Sequence, residues 1–198
     1  MLNDLDGTLD ALLRQTAPDL FRQVAISFAP PDNTFAAAAK LPAIDLFLYE
    51  IRENRELRSN ERVPERRNGA TVLLPPPVRI DCSYLITAWP SPGENAVKDE
   101  HRMISEVMVA LLRYPELPEQ LLQGSLANQP LPPPVSALQS GSLQSMGEFW
   151  QALGGKPKVV LHYTVTIAVQ AGLGVEEGPL VKETDFRVVL KQAPGGNP

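Results

Sequence analysis

Cysteine is almost absent from this 198-residue chain. Cys82 stands alone, which excludes any internal disulfide and any zinc site built on several cysteines. Histidine is nearly as scarce, with only His101 and His162, and two imidazoles do not easily hold a metal by themselves. Long apolar runs are missing as well. The apolar-rich uncharged stretch 159–175 only reaches the minimum length of a bilayer span, and it sets His162, Thr164, Thr166 and Gln170 among its apolar residues as a strand does. The opening Met1-Leu2-Asn3-Asp4-Leu5-Asp6 is acidic and lacks the basic-then-apolar pattern of a secretory signal. There is no excess of positive charge: 18 Lys and Arg against 23 Asp and Glu leave a net −5, which argues against a general nucleic-acid binder. These absences lead us to expect folding in a reducing cytosol, with no direct membrane insertion, no nucleic-acid partner and no cofactor.

Hydrophobic residues at 43% and charged ones at 21% are ordinary for a globular chain. A fold of this length can bury roughly 70% of the surface that its unfolded chain exposes. The composition therefore predicts one domain over 1–192 and a flexible tail over 193–198. Proline is in excess, with 20 residues, about twice average usage, so long extended connections are expected. Leu5, Leu9, Leu12 and Leu13 recur at helical spacing behind Asn3 or Asp4, either of which can cap a first turn, and this helix stops before Pro18. Alternation predicts a strand over 21–28. Residues 36–40 read as a loop or a fragment of helix. A run apolar on both faces over 44–51 suits a central strand. A long strand follows over 78–89, with Ile80, Cys82, Tyr84 and Ile86 facing one way. The prolines of Val72-Leu73-Leu74-Pro75-Pro76-Pro77 exclude that segment from a sheet interior. Residues 95–114 form the strongest helix, with Val97, Ile104, Val107, Met108, Leu111 and Leu112 as its stripe. The proline-rich segment 129–142 reads as an extended loop, 146–153 as a short helix closed by Gly154-Gly155, 158–170 as a strand, and 184–190 as a weaker one. Helices and strands mix without regular β-α-β alternation, so the class is α+β with a mostly antiparallel sheet flanked by helices.

No catalytic motif survives inspection. Gly155-Lys156 lacks both the earlier glycine and the following Ser or Thr of a phosphate loop, with Trp150 and Pro157 in those places. Gly172, Gly174 and Gly178 miss the dinucleotide spacing, and Pro179 stands where a helix would begin. Ser142 and Ser145 lack the strand-turn-helix setting of a nucleophile elbow. Cys82 shares a face with Ile80 and Tyr84 and reads as a small core residue. His101 reads as packed or half-exposed, and His162 as part of a polar ladder. Asp45 and Asp81 lie in strands and are expected to face solvent or a salt bridge. A small hydrolase using them as an acid/base pair is the enzymatic alternative.

The segment 52–67 differs from the rest. It holds six arginines (52, 55, 58, 62, 66 and 67) interleaved with Glu53, Glu56, Glu61 and Glu65. Lying between two long strands, it predicts an extended charged hairpin. Two readings stay open: a solvated loop with weak surface ion pairs, or a protein-protein contact exploiting the planar guanidinium fork. Interleaved signs favour a partner with the complementary pattern over a plain polyanion.

Several segments together resemble a known family. Leu46-Phe47-Leu48-Tyr49-Glu50-Ile51-Arg52-Glu53-Asn54 with Arg55 and Arg58, then 77–89, then Glu100, Met108 and 111–117, and finally Phe149-Trp150 with 161–165, are similar in order and spacing to the tail-terminator or cap proteins of phage-tail-like contractile injection systems. The resemblance implies a structural part without catalytic, metal or cofactor residues: a homohexameric ring on the baseplate-distal end that stops growth of the inner tube and anchors the last sheath layer. It implies the inner-tube protein, the sheath protein and further copies of the chain as partners, in a contractile particle. Glu53, Asn54, Arg55 and Arg58 are the contact residues so suggested, with Arg62, Arg66 and Arg67 of the following segment beside them. Another baseplate or tube-initiation subunit of such a machine is the nearest alternative.

Overall fold

A computed structural model describes residues 1–67, 70–139, 145–172 and 175–179. The expected strand over 184–190, the tail over 193–198 and Ser142 lie outside the described residues. Two compact units are formed: Met1–Arg58 with Pro77–Gln170, and Ser59–Pro76 with the described residues from Ala171 on.

The larger unit starts with α1 (Leu2–Thr16), whose Leu5, Leu9, Leu12 and Leu13 are wholly buried, as their spacing requires. Pro18 opens α2 (Pro18–Phe21), at a first-turn position where its missing N–H costs nothing. Because Leu20, Phe21 and Val24 turn into the helical core, the strand predicted over 21–28 shrinks to β1 (Ala25–Ser27). A one-turn helix, α3 (Phe35–Ala38), precedes β2 (Ala43–Glu53). The smaller unit contributes the next two strands, β3 (Val63–Arg67) and β4 (Ala70–Leu74). The larger unit resumes with β5 (Val78–Trp89), α4 (Ala96–Leu112), two 3-10 turns (Glu119–Leu121 and Gly124–Asn128), β6 (Val135–Ala137), α5 (Met146–Ala152) and β7 (Val160–Val169). In the smaller unit β8 (Val175–Pro179) completes a three-stranded sheet in the order β3-β4-β8.

The five-stranded sheet of the larger unit runs β1-β2-β5-β7-β6. Only β1 and β2 pair in parallel; the other pairs are antiparallel. The class is therefore α+β with a mostly antiparallel sheet and flanking helices, as the sequence implies. Ile44 and Leu46 of β2, Cys82, Tyr84 and Ile86 of β5, and Leu161, Tyr163, Val165 and Ile167 of β7 join the leucines of α1 and the apolar side of α4 in one core. On α4 the buried residues are Met103, Ile104, Val107, Ala110 and Leu111. Val97, in the first turn, and Leu112, rotated about 100° from Leu111, stand 66% and 53% exposed and drop out of the predicted stripe.

Three other expectations need correction. Residues 72–74 do lie inside a sheet, in the middle strand β4, which ends before Pro75 and so needs no amide from the prolines. Of the arginine-rich segment, Arg52 and Glu53 end strand β2, Val63–Arg67 is strand β3, and only residues 54–62 between them are irregular. Within the proline-rich 129–142, Val135–Ala137 pairs with Val165, Thr164 and Tyr163 of β7. Pro134 accepts the Thr166 N–H at 3.0 Å through its carbonyl, the one backbone group that proline keeps for a ladder.

Candidate interface site

The strands that bury a core face also carry a polar face. A β-bulge between Leu48 and Glu50 shifts the register of β2, so that Glu50 pairs with Ser83 and Arg52 with Asp81. Continuing across the sheet, Ser83 pairs with Thr164 and Thr164 with Ser136, while Asp81 pairs with Thr166. Two polar rows thus cross the sheet side by side. They floor a groove of about 480 Å³ walled by Glu53, Asn54, Arg55, Glu56 and Gln139.

Asp81 is the anchor of this groove. It is 5% exposed, accepts from Thr166 Oγ1 at 2.7 Å and from Asn54 Nδ2 at 3.1 Å, and lies 3.6 Å from Arg52 Nε. Ser83 and Thr164 share a hydroxyl contact of 3.2 Å. Asn54 also donates its backbone N–H to Arg79 at 2.8 Å and accepts the Leu57 N–H on Oδ1 at 3.1 Å. It therefore fixes the turn that leaves β2. Glu53 and Arg58 form an exposed ion pair at 3.6 Å, a contact worth little by itself.

The sequence-suggested residues fall in two places. Glu53, Asn54, Arg55 and Arg58 are brought together on the rim of this groove or next to it, in the larger unit. Arg62, Arg66 and Arg67 belong to the smaller unit, with Arg62 exposed and the other two in β3. The floor residues Glu50, Asp81, Ser83, Ser136, Thr164 and Thr166 were not singled out as a site from the sequence. Their signal was the polar alternation along 78–89 and 158–170, but only strand pairing shows that the rows meet.

The two strand aspartates do not form an acid/base pair. Asp45 and Asp81 have register partners Thr87 and Asp81's own position on β5, six residues or roughly 20 Å apart along the strand. They cannot act on one substrate atom. Asp45 also departs from expectation by being fully buried, with neither carboxylate oxygen hydrogen-bonded. Burial pushes the Cys82 thiol up to about 11, with Asp81 and Asp6 adding to the shift, so it stays a protonated core group. His101 is exposed. His162 is half-buried, with Nδ1 3.4 Å from the Tyr49 hydroxyl, and burial lowers its pKa. Among the described residues no cluster of three metal-ligating side chains occurs, and no helix is long and apolar enough to cross a membrane.

The Pvc16 N-terminal domain family model matches residues 4–183, which is most of the chain. The chain belongs to the Pvc16 N-terminal domain family. Solved structures agree with this assignment. The chain is similar to the sheath/tube terminator of the extracellular contractile injection system PVC, in its extended state, at 28% identity and a TM-score of 0.70, over 98% of this chain and 65% of that one. It is also similar to the tube-terminating cap of the anti-feeding prophage, at 28% identity and a TM-score of 0.64, over 95% of this chain and 62% of that one. This Pvc16-type chain thus spans just under two thirds of the length of either cap protein. No match is found among curated proteins.

Proposed function

We propose that this Pvc16-family chain is a terminator subunit of a contractile injection system. In this reading it forms a homohexameric ring at the baseplate-distal end, halts growth of the inner tube and anchors the last layer of sheath. The carrying observation is the fold match to a sheath/tube terminator over 98% of the chain. In this reading the role is structural, not enzymatic, and the charged side chains of the groove serve contact. Assembly takes place in the bacterial cytoplasm, and the product is part of the contractile particle.

A ring that closes by rotation needs two different patches on each subunit. The groove rim with Glu53, Asn54, Arg55 and Arg58 supplies one, and the β3 segment with Arg62, Arg66 and Arg67 is suited to another. The exposed guanidinium groups of Arg55, Arg58 and Arg62, interleaved with carboxylates along the chain, select a partner by pattern rather than by net charge. The test is electron microscopy of particles from a deletion strain. Tubes and sheaths of uncontrolled length, restored to uniform length by the wild-type gene, support the reading. Absence of any tube would mean an initiating role instead. In the complemented strain, Arg55→Glu with Arg58→Glu is expected to leave the fold intact and abolish capping; normal termination would remove those arginines from the contact.

A further inference from the structure

One carboxylate has no place in the groove or in any ion pair. Asp45 lies in β2 immediately inside the edge strand β1, its register partners being Ser27 on one side and Thr87 on the other. It is 0% exposed, and neither oxygen is within hydrogen-bonding geometry of a donor. Ser27 Oγ accepts the Ala29 N–H at 3.2 Å. Thr87 Oγ1 accepts Trp89 Nε1–H at 2.9 Å, and the Trp89 ring is covered by Phe35. The Ala29 N–H is thus directed at Ser27 and the Trp89 N–H at Thr87. An ionised carboxylate left dry and unpaired is among the most expensive arrangements a fold can hold.

We propose that Asp45 is a proton-operated latch: it is buried as the neutral acid, and losing its proton frees the edge strand β1. β1 is the element to yield because it is three residues long and paired on one side only. Moving it would admit water to the carboxylate without disturbing β5 or the helices.

The surroundings offer no compensating cation. β1 and residues 28–31 carry no titratable side chain, and β5 presents only Thr87 and Trp89 at this end. Of the charged groups nearby, Lys158 is paired to Glu100 at 2.8 Å and lies over the Trp89 ring, Asp32 is bonded to Thr34, and Glu148 is exposed in α5. Burial pushes the Asp45 pKa up to about 7, while Ser27 and Ala29 pull it down by less. The sign follows from linkage. Opened, Asp45 ionises at its ordinary 3.8; closed, it keeps its proton to about 7. Opening therefore becomes easier as pH rises through this window, and above it the effect levels off.

Amide exchange by NMR, corrected for intrinsic rates, tests this on the whole chain from pH 4 to 9. In the wild type, protection of the amides of residues 25–27 should fall about tenfold per pH unit between about 4 and 7 and then stay constant. In Asp45→Asn it should be flat. Parallel profiles in the two proteins would overturn the proposal. Should Asp45→Asn not fold, the side-chain carboxyl shift of Asp45 in the wild type decides: titration near 7 supports the latch, and titration near 3.8 refutes it. Ser27→Ala, which removes a neighbouring hydroxyl that holds the Asp45 pKa down, should move that midpoint further up.

Discussion

Asp81 and Asp45 are both strand aspartates, and their environments separate them completely. Asp81 satisfies its oxygens with Thr166 and Asn54, so removing it strands two buried or half-buried donors. Asp81→Ala should destabilise the protein by about 1–3 kcal/mol, whereas exposed Arg55→Ala should change stability by no more than about 0.5 kcal/mol. Urea unfolding of the two variants measures the contrast. Near the start of α1, Gly124 has φ +52°, and a Cβ there would run into the Asp4 carboxylate. Gly124→Ala should therefore cost at least about 1–2 kcal/mol for the left-handed backbone alone, read as a lowered urea midpoint. Asp4 accepts from Ser125 Oγ at 2.7 Å and from its N–H at 3.0 Å, which draws its pKa down to about 2. A depressed carboxylate contributes stability that is present above its ordinary 3.8 and lost as pH falls toward 2. Asp4→Asn should weaken the dependence of stability on pH across that acid interval, measured by thermal unfolding from pH 5 to 2.

The short helix α5 shows how few residues decide an element. Ser145 caps it by accepting the Glu148 N–H at 3.2 Å, and Gly154 at φ +65° closes it. Phe149 reaches Phe47 of β2 at 6.5 Å between centroids, and Trp150 is buried. The helix therefore covers the end of the sheet face that lacks the polar rows. Ser145→Ala should cost about 0.5–2 kcal/mol, and amide exchange in α5 should rise more than in α4. The expected cap of α1, by contrast, is not made: Leu2 already lies in the helix, and the Asp4 carboxylate is spent on Ser125. A capping residue in sequence cannot tell whether a distant turn will compete for its oxygens.

The two compact units suggest a dissection. β2 and β5 are joined in antiparallel register down to Glu53 and Ile80, and Asn54 closes the ladder on Arg79. Replacing 59–76 by a short glycine-serine turn should thus leave the larger unit folded, since its core draws on nothing from that segment. Circular dichroism and a cooperative thermal transition would show this. If the arginine-bearing β3 is a contact patch, the same deletion abolishes tube capping while the protein stays soluble and folded.

Reading the chain alone recovers the long regular elements, because period and burial coincide there. The stripe Leu5, Leu9, Leu12, Leu13 can bury itself only as a helix, and Ile80, Cys82, Tyr84, Ile86 only as a strand face. The family resemblance, too, rests on residues visible in order along the chain. What pairing decides lies beyond local pattern. A proline-flanked segment becomes the middle strand β4, three residues after Pro134 add a fifth strand, and a one-residue bulge at 48–50 aligns Glu50 and Arg52 with Ser83 and Asp81. The fate of a polar residue depends on which donors lie across the sheet, and those come from positions dozens of residues away. Asp81 found Thr166 and Asn54; Asp45 found none, and only the folded chain could decide between them.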